Sequence, residues 1–185
     1  MKVITRLFLI GLLLSLVGCP RRTSRTDSGG VLVVLGQTVN GYPLGVSVNS
    51  LTPPPYEYID TVTLQSVAAD PTGSTSNLMD VELDTYSVTF TRKDGGTEVP
   101  PKLVEKTFGT IPIGGTITIK GLVIMTPDQF DNPPLSDLFY QNGGYDKETG
   151  STKVTLNLSL QFFGHTLSGK SVATAPFQFT VDFYP

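Results

Sequence analysis

Lys153-Val154-Thr155-Leu156-Asn157-Leu158-Ser159-Leu160-Gln161-Phe162 is the stretch from which the fold can be read. Every second residue is apolar and those between are polar. Successive side chains of a strand point to opposite faces, so this spacing puts one face in a core and one in water. A helix, with 3.6 residues per turn, would scatter the same apolar residues around its circumference. The end of the chain repeats the signal. Phe177, Phe179, Val181 and Phe183 face one way, and Gln178, Thr180 and Asp182 face the other. Pro176, which has no N–H to donate to a ladder, suits a strand start.

Working back along the chain, Tyr86, Val88 and Phe90 alternate with Ser87, Thr89 and Thr91, and Asp94-Gly95-Gly96 supplies a hairpin turn. Val81 and Leu83 alternate in the opposite phase, so a slip near Asp84-Thr85 predicts a bulge or bend. The same slip separates Ile117 and Ile119 from Leu122 and Ile124, where Gly121 suits a bulge. Val31 to Leu35, Leu44 to Val48 and Ile59 to Val67 are further strand candidates. No long segment carries helical periodicity, and Pro134 to Gln141 has room for one short turn. Seven or eight strands separated by Gly, Pro, Asn and Asp clusters predict an all-β fold, a sandwich or barrel, and a single antiparallel β-sandwich is the expected form. Leu83 to Gly96 and the closing hairpin from Lys153 to Tyr184 resemble the immunoglobulin-like and fibronectin III-like domains of bacterial surface lipoproteins.

The first residues speak to location. Lys2 and Arg6 flank the start of an apolar run of eleven residues, Leu7 to Val17. A spanning helix needs about 20, so the run reads as the core of a signal peptide. It leads through Leu16-Val17-Gly18 into Cys19, the only cysteine of the chain. This resembles the lipobox of bacterial lipoproteins. The resemblance implies cleavage before Cys19, diacylglycerol on its thiol, and a membrane held through that lipid. Pro20 at the next position, rather than Asp, implies the outer membrane in a two-membrane cell and the outer face of the membrane in a one-membrane cell. The expected organisation is a signal peptide over 1–18, a lipidated tether over 19–30 and a β-sandwich over 31–185. With one cysteine, the domain has neither a disulfide nor a Cys-based metal site.

All 16 acidic residues lie from Asp27 onward, where they outnumber the bases two to one, while Arg21, Arg22 and Arg25 sit beside the anchor. An acidic body argues against nucleic acid as a partner. An envelope protein or a glycan is the expected one.

Gly164-His165-Thr166-Leu167-Ser168-Gly169-Lys170-Ser171 matches the phosphate-loop pattern letter for letter. That motif needs a helix directly after it. Here an alternating strand follows, so the segment reads as a loop between the last two strands, with no nucleotide. His165, the only histidine, has Ser168 and Ser171 nearby but no nucleophile elbow, and reads as a solvated loop residue. Asp80, Glu82 and Asp84 share a strand face at a spacing of about 6–7 Å, too wide to converge on one ion unaided. Asp128 with Asp131, and Asp146 with Glu148, are better placed for calcium but lack the EF-hand spacing. No catalytic set, metal or cofactor is expected.

Thr126 to Ser151 spans twenty-six residues between two strong strands. Loops this long are usually functional or disordered. Phe130, Phe139, Tyr140 and Tyr145 are its aromatic candidates for a ligand-contact surface. In the competing arrangement Phe130, Leu135, Leu138 and Phe139 fold back to plug one end of the sandwich. Pro53-Pro54-Pro55-Tyr56 is a second, extended loop.

Overall fold

A computed structural model describes residues 33–185. The leader, Cys19 and the tether, together with Val31 and Leu32 of the first candidate strand, lie outside the described residues. The stretch with the strongest alternation forms the longest strand, β8 (Val154–Thr166), and each of its even-numbered residues is buried. β8 is paired on both sides, with β10 (Phe177–Tyr184) and β4 (Val81–Arg92), both antiparallel. The inward rows of the three strands meet in one core. Leu156, Leu158, Leu160 and Phe162 pack with Val181 and Phe183 and with Val88 and Phe90.

One sheet runs β2-β10-β8-β4-β5, with β2 (Gly45–Ser47) and β5 (Leu103–Lys106) at its edges. β6 (Thr110–Ile111) adds to β4, and β9 (Ser171–Ala173) adds to β8. A second, three-stranded sheet runs β1-β3-β7, formed by β1 (Val33–Asn40), β3 (Glu57–Ala68) and β7 (Thr116–Met125). It lays Leu35, Ile59, Val62, Leu64, Leu122 and Ile124 onto the same core. The described residues are all-β, with two packed sheets and, among them, only short helical turns.

The structure departs from the expected seven or eight antiparallel strands in two ways. There are ten strands among the described residues, because β5, β6 and β9 have two to four residues each, too few to show a period. β2 also runs parallel to β10, and an isolated parallel bridge joins Leu35 to Thr174 across the sheets.

The expected phase slip in β4 is a bulge, with the register against β8 shifting between Leu83 and Thr85. One inserted residue, Asp84, lets Leu83 and Tyr86 both face the core. Opposite it, a Cβ at position 164 would collide with the Glu82 carbonyl, so only glycine fits there. At Gly121 the outcome differs. Register runs unbroken from Ile59↔Leu122 to Thr61↔Lys120, and the shift in this pair lies between Glu57 and Tyr58. The faces exchange through a bend, with Gly121 at φ 61°.

Side chains tie the two sheets directly. Gln37, on β1, donates to the Leu160 carbonyl of β8 at 3.2 Å. Tyr86, on β4, sends its hydroxyl across the core to donate to the Val123 carbonyl of β7 at 2.8 Å. Burial, with Glu105 nearby, pushes its pKa up to about 12, so it remains a donor at physiological pH. A hydrogen bond of this kind contributes about 1 kcal/mol net.

Candidate functional site

The Thr126–Ser151 segment is ordered by its own caps. Thr126 N-caps helix α1 (Pro127–Phe130), with Gln129 completing a capping box and Pro127 in the first turn. Gln129 also donates to the Pro101 carbonyl at 3.3 Å. The helix drives Phe130 into the core, edge-on to Phe183 at 6.3 Å. Leu135 and Leu138 follow it inward, and 3₁₀ turns at Ser136–Leu138 and Tyr140–Asn142 carry the chain back out.

This corrects part of the proposed contact surface. Phe130 is fully buried and so is not available to a ligand, while Phe139 is half-buried against the core. Tyr140 and Tyr145 are exposed. They flank Gly143 and Gly144, both at positive φ; a Cβ on Gly143 would lie 3.1 Å from the Tyr145 ring, and one on Gly144 3.5 Å from the Tyr140 ring. Asn49 fixes this turn from the other side, accepting from the Tyr140 N–H at 3.1 Å and donating to the Leu138 carbonyl at 3.2 Å. The arrangement offers two phenol rings around a side-chain-free turn. It suits stacking and hydrogen bonding, and it carries no nucleophile.

Beneath this segment lies a charge cluster not anticipated from sequence. The Arg92 side chain is 2% exposed, and it donates to Asp94 at 2.6 Å and to Asp146 at 2.8 Å. Asp146, itself 0% exposed, also accepts from the Thr149 hydroxyl, and Asp94 accepts from the Thr155 N–H at 2.7 Å. Burial pushes both carboxyls up, but the Arg92 guanidinium and these donors outweigh it and hold both below the usual range. Glu148 accepts from the N–H groups of Thr97 and Glu98. Asp146 and Glu148 are therefore committed to Arg92 and to the β4–β5 turn. A signal was present in the sequence. Arg92 continues the inward row Tyr86, Val88, Phe90, and a charge on an inward position requires a buried partner.

The other acidic candidates are dispersed. Asp80 accepts from the Ile113 N–H at 2.9 Å. Glu82 and Asp84, on the outer face of the bulge, bracket His165 at 3.3 and 3.0 Å. His165 lies on β8 instead of in a loop. With a carboxylate at each ring nitrogen, Asp84 foremost, its imidazole is held above the ordinary 6.5. Among the described residues, no group of three or more His, Cys, Asp or Glu side chains is arranged to hold a metal ion.

The phosphate-loop match resolves into a hairpin. Its strands are the end of β8 and β9, and its amides are spent within the protein. Leu167 N–H donates to the Asp80 carbonyl, Ser168 N–H to that of Leu78, and Gly169 N–H to that of Thr166. Lys170 N–H donates to the Thr166 hydroxyl. A phosphate would find these donors occupied. Elsewhere, Glu98, Val99, Pro101, Asn132 and Pro133 line an open cleft of about 350 Å³ with no convergent catalytic groups.

Removing Arg92 strands the buried carboxylate of Asp146 and the partly buried one of Asp94. Arg92→Met is expected to destabilise the fold by about 3–5 kcal/mol in urea unfolding, the range for breaking a buried pair. Because Asp94 and Asp146 have depressed pKa values, the stability they contribute is present above the unfolded carboxylate pKa. It is lost as pH falls through the folded values, and the variant should lose that acid-side slope. His165 has the opposite sign. Its contribution is complete below 6.5 and disappears as pH rises through the raised folded value. Urea midpoints of the wild type should carry a decline on the alkaline side of 6.5 that His165→Gln lacks.

No family model and no curated protein matches the chain. Among solved structures, it is similar to an X-ray structure of a Northeast Structural Genomics Consortium target (SoR45), at 10% sequence identity and a TM-score of 0.36, over 80% of this chain and 84% of that one. A likeness of that strength carries no functional argument.

Proposed function

We propose that the chain is a lipid-anchored cell-envelope lipoprotein whose β-domain is a non-catalytic interaction, adhesion or scaffolding module. The observation that carries this reading is Leu16-Val17-Gly18-Cys19 behind a short apolar run, in a chain with no second cysteine. The lipid, held by several acyl chains at about 0.8 kcal/mol per buried methylene, keeps the domain at the surface. The outer membrane is the expected site in a two-membrane cell.

The domain is proposed to be immunoglobulin-like. Strand order supports this. β1-β3-β7 against β10-β8-β4-β5 follows the A-B-E and G-F-C-C′ arrangement of variable-type immunoglobulin sheets. Loops of such folds cluster at the two ends of the sandwich, and by this strand order Thr126–Ser151 joins E to F, at the end opposite the B–C loop 69–80. The anchor is tested by Cys19→Ala followed by membrane fractionation. The variant should leave the membrane fraction, and wild-type retention would overturn the reading.

A second reading, a carbohydrate- or small-ligand-binding module, is favoured by the exposed Tyr140 and Tyr145 rings about Gly143-Gly144. The absence of Trp leaves stacking to tyrosine. Glycan-array binding that is lost in Tyr140→Ala and Tyr145→Ala would support it. Binding that both variants retain would remove this turn from the surface involved.

A further inference from the structure

The two ends of the domain differ in chemistry. Val33, where β1 begins, pairs with Ala68 at the end of β3. The same end holds the start of β4, the end of β8, and the loops 69–80 and 167–170. Those loops are zipped together, with Leu167 N–H donating to the Asp80 carbonyl at 2.9 Å and Ser168 N–H to that of Leu78 at 3.0 Å. At their tips Leu78 is 60% exposed and Leu167 44%. On one flank Val34 and Val67, opposed on β1 and β3, are also exposed. On the other flank Phe108 is 80% exposed, one residue before the Gly109 carbonyl that accepts the Leu83 N–H. The opposite end displays tyrosines (Tyr56, Tyr58, Tyr140, Tyr145 and Tyr184), with Leu44 and Val99 as its exposed aliphatics. A phenol brings a polar handle to water; Leu, Val and Phe do not.

A scattered exposed apolar residue needs no cover, whereas a group of them at one end marks a contact surface. We infer that this end is a membrane-contact surface: Leu78, Leu167 and Phe108 seat in the headgroup region of the lipid that holds the chain. The inference rests on the anchor proposed above. The occupant follows from where the chain leaves the domain. Thirteen residues, Pro20 to Leu32, separate Cys19 from Val33, and Val33 is at this end. Such a span reaches at most about 50 Å, and about 20 Å as a flexible coil. The tether therefore holds this end near the lipid at high effective concentration, where weak contacts suffice. The two loops carry Asp70 and Asp80 against Lys170, with the Asp70 carboxylate engaged by Thr72 and that of Asp80 by the Ile113 N–H. Glu82 and Asp84, further up this end, bracket His165. The contact is consequently apolar in origin and does not require anionic lipid.

Hydroxyl-radical footprinting tests it, using the lipidated full chain in phosphatidylcholine vesicles and the Cys19→Ala chain in solution. Oxidation of Leu78, Phe108 and Leu167 should fall by about threefold or more on the vesicles, with Tyr140 and Tyr145 unchanged. Leu78→Ser combined with Leu167→Ser should keep the urea midpoint and lose the protection of Phe108. If a vesicle-bound chain of lipidated intact mass oxidises as readily as the soluble one at these residues, the inference is overturned and the anchor stands. If the intact mass shows no lipid, the anchor fails and the inference with it. Equal protection of the Cys19→Ala chain without vesicles would also overturn it, and would assign the surface to a second copy.

Discussion

The inward row of β8 sets the terms for everything around it. Five consecutive even-numbered side chains, Val154 to Phe162, leave the strand on one side and are fully buried. They can be dry only if the strand is paired at both edges and a second layer covers its face. β4 and β10 meet the first demand, and β1-β3-β7 meets the second. The bulge at Asp84 and the bend at Gly121 are then local solutions to one problem. Each restores an inward row that the parity of its own strand would have turned toward water.

The same parity rule explains what could be read beforehand. Where alternation runs for six residues or more, as in β4, β8 and β10, both the strand and its inward face are legible. The slip at Asp84 was legible as well, because two phases of one pattern cannot both face inward without an extra residue. β5, β6 and β9 were not, since two to four residues carry no period and their pairing is decided by neighbours. Nor could the aromatics of the Thr126–Ser151 segment be sorted. Phe130 and Tyr140 sit in helical turns too short to carry a period, and only the capped turn at Thr126 and the hold of Asn49 send one inward and the other outward.

Arg92 marks the boundary between legible and hidden. Its inward position follows from β4, but Asp146 lies 54 residues away in a segment with no pattern. Their union binds the candidate contact segment to the sheet. It thus carries a structural cost into the site: the exposed tyrosines are placed by a chain whose buried anchor is ionic and pH-sensitive. The hairpin at Thr166–Ser171 teaches the complementary lesson. Letters can match a phosphate loop while every relevant amide is already engaged.

The bend at Gly121 has a colloidal consequence. β7 is the outer strand of its sheet and pairs only with β3 among the described residues, so its far side is an unzipped row of backbone groups. A long straight row of that kind recruits strands from other molecules. Here the row is straight only from Thr116 to Ile119. Beyond it, a charged Lys120 and the turn of the backbone at Gly121 carry the edge out of line, leaving too short a template for a foreign strand to grow on. At high concentration, a misaligned edge keeps neighbouring copies from knitting into fibres.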